Sequence, residues 1–207
     1  MTEASLIAFV IAATLLTITP GLDTALVLRT AGVEGPRKAA LAGIGIGIGC
    51  LAWGVVVALG LGVLLQASEL AYTALRWAGA AYLVWLGIKL IRSPREGLGE
   101  VATEAIGASG AAWLRRGLLT NLLNPKIGIF YVSFLPQFIP AGADVPGTTI
   151  LLAAIHAALG LVWFGALILA TRPIATALRR PTTVRLLDRL TGGLFLLFGA
   201  RLALVRD

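Results

Sequence analysis

Two short stretches place polar and ionisable residues beside a proline in the middle of long apolar runs. The first is Thr17-Ile18-Thr19-Pro20-Gly21-Leu22-Asp23-Thr24 and the second is Asn121-Leu122-Leu123-Asn124-Pro125-Lys126-Ile127-Gly128. Each has a polar residue before the proline and a charged one within three positions after it. Proline removes a helical hydrogen bond and clashes with the preceding turn, so each stretch predicts a broken helix. In hydrocarbon the freed backbone groups need partners, which confines such breaks to protein-lined or water-lined places. A charge near a helix centre costs at least ~2.5–3.5 kcal/mol on insertion scales and therefore faces a cavity or a partner. Asp23 and Lys126 bring opposite signs. They suit either a structural ion pair that pins the two segments together, or a site at which Asp23 accepts an ammonium or a proton. In the second case Lys126 and the nearby half-helix N-terminus favour a carboxylate.

Around this pair, Thr17, Thr19, Asn121 and Asn124 can either satisfy loosened backbone groups or touch a substrate. Pro20, Gly21 and Pro125 set the breaks and belong to the same candidate binding site. His156, the single histidine, falls inside an apolar run; a proton relay with Asp23 and a neutral imidazole bonded to a backbone carbonyl are both open. Gln137 follows Pro136 and reads as a turn residue, with a gating role as the alternative. Gly43, Gly47, Cys50 and Gly54 line one helix face with small residues, which permits close helix packing within a monomer or at a homodimer seam. Cys50 is the only cysteine, so an intrachain disulfide is excluded, and no metal site or cofactor is expected.

These residues sit in a chain that must fold in lipid. Hydrophobic residues make up 58% of the 207 and charged residues 13%, where a soluble domain carries about 25% charged residues. Long apolar runs cover roughly 4–31, 38–67, 70–91, 115–139, 147–171 and 185–205. Each reaches the ~20 residues needed to cross the hydrocarbon core. The expected architecture is therefore all-α, with six transmembrane helices in a single domain over 1–207. Five spans, with one end failing to cross, is the rival. Most of the 17 Lys and Arg residues fall in the loops after the first, third and fifth runs. The positive-inside rule puts those loops in the cytoplasm and both termini outside. The same placement argues against a nucleic-acid partner for the net charge of +7. The opening MTEAS has no Lys or Arg, so a cleaved leader is not expected.

An internal repeat orders the runs further. Arg76-Trp77-Ala78-Gly79 through Trp85 aligns with Arg189-Leu190-Thr191-Gly192 through Phe198, matching Arg, Gly and Leu and pairing aromatics in kind. The two proline stretches occupy corresponding positions in the first and fourth runs. The halves are then 1–92 and 114–207, joined by a cytoplasmic connector over 93–113. Three spans per half make the repeat inverted, the arrangement in which paired broken helices mark a central substrate site. Pro20 lies nine residues before Arg29 and Pro125 nine after Arg116, so both breaks fall ~13 Å from the cytoplasmic boundary at 1.5 Å per residue.

Several motifs together resemble the LysE/RhtB (lysine exporter) family of amino-acid efflux proteins. Pro20-Gly21-Leu22-Asp23 is similar to its PGP-[DN] motif, with Leu22 in place of the second proline. Gly79-Ala80-Ala81-Tyr82-Leu83-Val84-Trp85-Leu86-Gly87 resembles its GAAYL..LG stretch. Gly117 through Lys126, followed by Phe134-Leu135-Pro136-Gln137-Phe138, resembles its G..TN..NPK…PQF signature. The resemblance implies a multi-pass protein of the bacterial inner membrane that exports amino acids or close derivatives, coupled to proton uptake.

Other classes fit less well. No nucleotide-binding loop is present and no connection is long enough for an ATPase domain. An intramembrane aspartyl protease needs two membrane aspartates, so no enzyme is expected. A passive channel, or an exporter of a non-amino-acid solute such as a metal cation, is the alternative; a channel would not need paired breaks.

Overall fold

A computed structural model describes residues 2–67, 69–94, 109–140, 142–170 and 180–204, and these are helical wherever they are regular. In chain order the helices are α1 (Glu3–Ile18), α2 (Leu22–Val33), α3 (Pro36–Ala67), α4 (Glu69–Arg92), α5 (Gly110–Leu122) and α6 (Pro125–Ile129). A π turn (Phe130–Phe134) and a 3-10 turn (Leu135–Phe138) follow. Then come α7 (Val145–Leu169) and α8 (Pro181–Leu204). Most of the connector expected at 93–113 lies outside the described residues, as do Arg95, Arg172, Arg179 and Arg206.

Both breaks follow from the restriction that proline places on the residue before it. Thr19 is extended (φ −66°, ψ 119°) and its N–H closes α1 on the Leu15 carbonyl. Asn124 is likewise extended (φ −79°, ψ 108°), and Pro125 opens α6 at a position where no N–H is needed. The chain bends by 52° between α1 and α2, and by 52° between α5 and the segment Pro125–Phe138.

Among the described residues, α3 over Pro36–Gly60 and α7 over Val145–Leu169 are each long and apolar enough to cross a membrane. Each bent pair qualifies when its two parts are taken together. The fold is thus that of a polytopic helical membrane protein with two to four such spans. α4 and α8 have 24 residues each, or ~36 Å at 1.5 Å per residue, but they are less apolar. Large apolar side chains cover much of the outside, among them Leu59, Trp77, Trp85, Val162 and Leu169. Such a surface is a liability in water and an asset in lipid.

Glycine sets the helix packing. α3 lies between α5 and α7, and the alternation Gly43-Ile44-Gly45-Ile46-Gly47-Ile48-Gly49 supplies a small face to each. A Cβ at Gly43 or Gly47 would meet Phe164 or Leu161 of α7, whereas one at Gly45 or Gly49 would strike Leu114 O or Asn121 of α5. The small-residue stripe of α3 therefore packs inside the monomer. Across the fold, a Cβ at Gly87 of α4 would lie 2.7 Å from Gly192 O, and one at Gly192 of α8 would lie 2.8 Å from Gly87 O. Between these layers sits an aromatic core. Phe9, Phe130, Phe134, Phe138 and Phe198 are buried, with Phe134 and Phe198 centroids 4.4 Å apart and Phe9 and Phe138 5.3 Å apart.

Candidate functional site

The two breaks come together in the interior. Asp23 lies in the first turn of α2, where the helix dipole favours an anion, and is 9% exposed. Its Oδ2 accepts from Asn121 Nδ2 at 2.9 Å. A carboxylate can only accept, so the amide nitrogen of Asn121 must face it. Asn121, at the end of α5, is fully buried, and the absence of a side chain at Gly49 makes room for it. The same Nδ2 lies 3.5 Å from Cys50 Sγ.

Lys126 reaches across to the other break. Its Nζ donates to Leu16 O and to Thr19 O, both at 3.0 Å. These carbonyls belong to the turn that Pro20 and Gly21 leave without full helical partners. A cation from the second break thus satisfies the backbone of the first, and its positive charge also acts on Asp23. A third link comes from α8. Thr19 Oγ1 bonds Leu15 O at 2.5 Å and meets Thr191 Oγ1 at 2.6 Å, both hydroxyls being buried.

The polar residues divide by role. Thr17 Oγ1 donates to Ala13 O at 2.7 Å, and Asn124 Oδ1 accepts from the Lys126 N–H at 3.1 Å, so both serve the backbone. The cap on α6 means that its first amide is already engaged by Asn124. Gln137 Nε2 donates to Ser133 O, a turn role. His156 Nδ1 lies 3.2 Å from the Tyr131 hydroxyl. Tyr131 sits on the π turn, an irregularity often found at functional sites.

A narrow cavity runs beside these groups. Thr17, Gly21, Asp23, Thr24, Lys126 and His156 form its polar part, with Cys50 behind them; Ile46, Gly160 and Phe164 form an apolar end. Asp23 Oδ1 and Asn124 Nδ2 are both buried, and the Asn124 side chain acts on the Asp23 carboxyl. Of the residues named from sequence, Asp23, Lys126, Gly21 and His156 meet at this cavity. Asn121 and Thr19 support it from behind, and Pro20 is buried at the break. Pro125 is instead exposed and borders a more open, apolar cavity with Trp53, Tyr82 and Ser133. Tyr131 and Thr191 were not legible as site residues. Tyr131 lies in an apolar run, and Thr191 was visible only as a member of the repeat.

An all-helical membrane protein with two broken helices converging on buried charges defines the class. The LysE type translocator family model matches residues 14–206, and the chain belongs to that family. It is 36% identical over 202 residues to the homoserine/homoserine lactone efflux protein of Salmonella typhi, covering 96% of each chain. It is 31% identical over 207 residues to the leucine efflux protein of Klebsiella pneumoniae, covering 96% of this chain and 94% of that one. It also aligns with the uncharacterized membrane protein YrhP of Bacillus subtilis at 29% identity, covering 97% of this chain and 99% of the relative. No solved structure is a significant match.

Proposed function

We propose that this protein is a secondary active exporter of amino acids or close derivatives across the bacterial inner membrane, driven by proton antiport. The observation that carries the reading is the convergence of the two breaks, with Asp23 and Lys126 lining one cavity. A zwitterion would place its ammonium at Asp23 Oδ1. Its carboxylate would lie within the field of Lys126, which lines the same cavity. The names of the efflux relatives support the direction and the substrate class. Asp23, with His156 beside the same cavity, is the proposed proton carrier.

The proposed topology is six spans in two inverted halves, with both termini periplasmic and α4 and α8 crossing. Three observations support it: the equal bends of 52°, the matching extended residues before Pro20 and Pro125, and the α4–α8 contact. There, Gly87 opposes Gly192 while Gly199 opposes Ala80. Under the repeat alignment these two contacts exchange to within one residue. Two half-repeats related by an axis in the membrane plane would do this. On this topology the aromatic core lies outward of the cavity, and the apolar end of the cavity lies inward.

Counterflow in proteoliposomes tests the reading. Saturable exchange of zwitterionic amino acids is expected, with pH-gradient-driven accumulation that an uncoupler abolishes. Linear flux indifferent to the uncoupler would instead identify a passive channel.

A further inference from the structure

A line of buried polar side chains from four elements joins Asp23 to His156. Asn121 Nδ2 of α5 donates to Asp23 Oδ2 at 2.9 Å and lies 3.5 Å from Cys50 Sγ of α3. The Cys50 side chain acts in turn on the Tyr131 hydroxyl of the π turn. That hydroxyl lies 3.2 Å from His156 Nδ1 of α7. Asn121, Cys50, Tyr131 and His156 are all buried. The two ends of the line, Asp23 and His156, border the cavity, whereas Tyr131 is not among its lining residues.

Packing alone does not call for the Tyr131 hydroxyl. The other buried aromatics of the same segment, Phe130, Phe134 and Phe138, are phenylalanines. A phenyl ring would fill the same place, and a buried hydroxyl without a partner is costly. Counting donors gives the line a direction. The Asp23 carboxylate only accepts, which turns the Asn121 amide nitrogen towards it and leaves the second amide proton for Cys50 Sγ. The thiol proton is then available to the Tyr131 oxygen, and the phenolic proton to His156 Nδ1. The partner on one ring nitrogen sets where the other carries its proton, which places it on Nε2. A hydroxyl also accepts, so Tyr131 can stay bonded to His156 when Nδ1 is protonated. A backbone carbonyl could serve the protonated nitrogen only.

We propose that Tyr131 is a positioning residue for proton coupling, its hydroxyl holding His156 in one tautomer and one orientation beside Asp23. It acts through His156 and not on the substrate. This rests on the proton-antiport reading and adds a residue to its machinery. Among the described residues, the charged or titratable groups around His156 are Asp23 of α2, Cys50 of α3, Lys126 of α6 and Tyr131. Of these, Tyr131 is the one within hydrogen-bonding distance of the imidazole.

The test joins spectroscopy to transport, using the full chain without a histidine tag in proteoliposomes. His156 is the single histidine, so isotope-labelled histidine gives one imidazole to follow by solid-state NMR. Wild type should show a neutral ring protonated at Nε2, and Tyr131→Phe a mixture of the two tautomers. In the same vesicles, accumulation of labelled leucine and homoserine is driven by a pH gradient. Tyr131→Phe should accumulate about tenfold less than wild type, roughly what one hydrogen bond to a charged group contributes, with an altered pH profile. His156→Gln should be impaired at least as much. Adding Tyr131→Phe to it should cost nothing further, because residues that act as one unit are not additive. An unchanged tautomer or pH profile in Tyr131→Phe would overturn the proposal, as would a further tenfold loss in the double variant. Should Tyr131→Phe not fold, the wild-type spectrum decides, and a neutral ring protonated at Nδ1 overturns the proposal. Wild type that accumulates neither probe under a pH gradient would remove the antiport reading and this inference with it. Wild-type accumulation with Tyr131→Phe unaltered would remove this inference alone.

Discussion

Asn121 at the end of α5 donates its side-chain amide to the Asp23 carboxylate of α2 over 2.9 Å, joining residues 98 positions apart. The bond ties the first broken span to the second at the level of their breaks. Because Asn121 is fully buried, its loss cannot be made good by solvent, and a buried acceptor left without its donor costs about 1–3 kcal/mol.

Asn121→Ala should therefore lower the detergent-solubilised protein's stability by about that amount and depress transport. Asn121→Asp should be worse, since it sets a second carboxylate against Asp23. Thermal unfolding followed by size-exclusion chromatography checks both, and equal melting of the two variants would contradict the assignment.

Lys126 supports two carbonyls of the first break and supplies the positive charge of the cavity. Lys126→Met should abolish zwitterion exchange. Lys126→Arg should recover little, because a planar guanidinium does not reproduce a compact ammonium that reaches two carbonyls from one atom. Flux per reconstituted protein is the measurement, and full activity in Lys126→Arg would show that charge alone suffices.

The Thr19–Thr191 contact, 2.6 Å between buried hydroxyls, anchors α8 to the first break. Thr191→Ser keeps the hydroxyl and should behave as wild type. Thr191→Val keeps the shape, removes the hydroxyl, and should lose about 1 kcal/mol of stability. Parallel melting curves of the two variants make the comparison.

Gly45 and Gly117 let α3 and α5 touch backbone to backbone. A Cβ at either would run into a carbonyl of the other helix, Leu114 O or Ala42 O. Each alanine variant should destabilise by about 1–3 kcal/mol, in the range of other overpacked cores. Gly165→Ala, where an added Cβ meets nothing within 4 Å, is the neutral control. Expression and melting temperature separate the three.

Where the helices lie was readable before any coordinates, because lipid leaves few choices. The six apolar runs coincide with α1–α2, α3, α4, α5 through the 3-10 turn, α7 and α8 to within a few residues. The breaks were equally plain, since Pro20 and Pro125 restrict Thr19 and Asn124 whatever surrounds them. The wiring of the site was less accessible. Asp23 and Lys126 were identified by the cost of their charges, but their hydrogen-bond partners come from other helices. Asn121 on α5 and the carbonyls of Leu16 and Thr19 become partners only through the helix crossing. The Tyr131 hydroxyl beside His156 was equally out of view, because only the π turn carries it into the core. The glycine alternation of α3 was read on one face only. Its second face, Gly45 and Gly49, follows from the same 3.6-residue period once α5 is known to pack there.

The most direct test of the central claim is transport by Asp23→Asn in proteoliposomes. The asparagine keeps the size of the side chain and can still accept from Asn121, so the protein should fold and purify as wild type. Counterflow of zwitterionic amino acids and pH-gradient-driven accumulation should both be lost. Wild-type flux with an unchanged pH dependence would contradict a substrate and proton site at Asp23, and with it the account of the two broken helices.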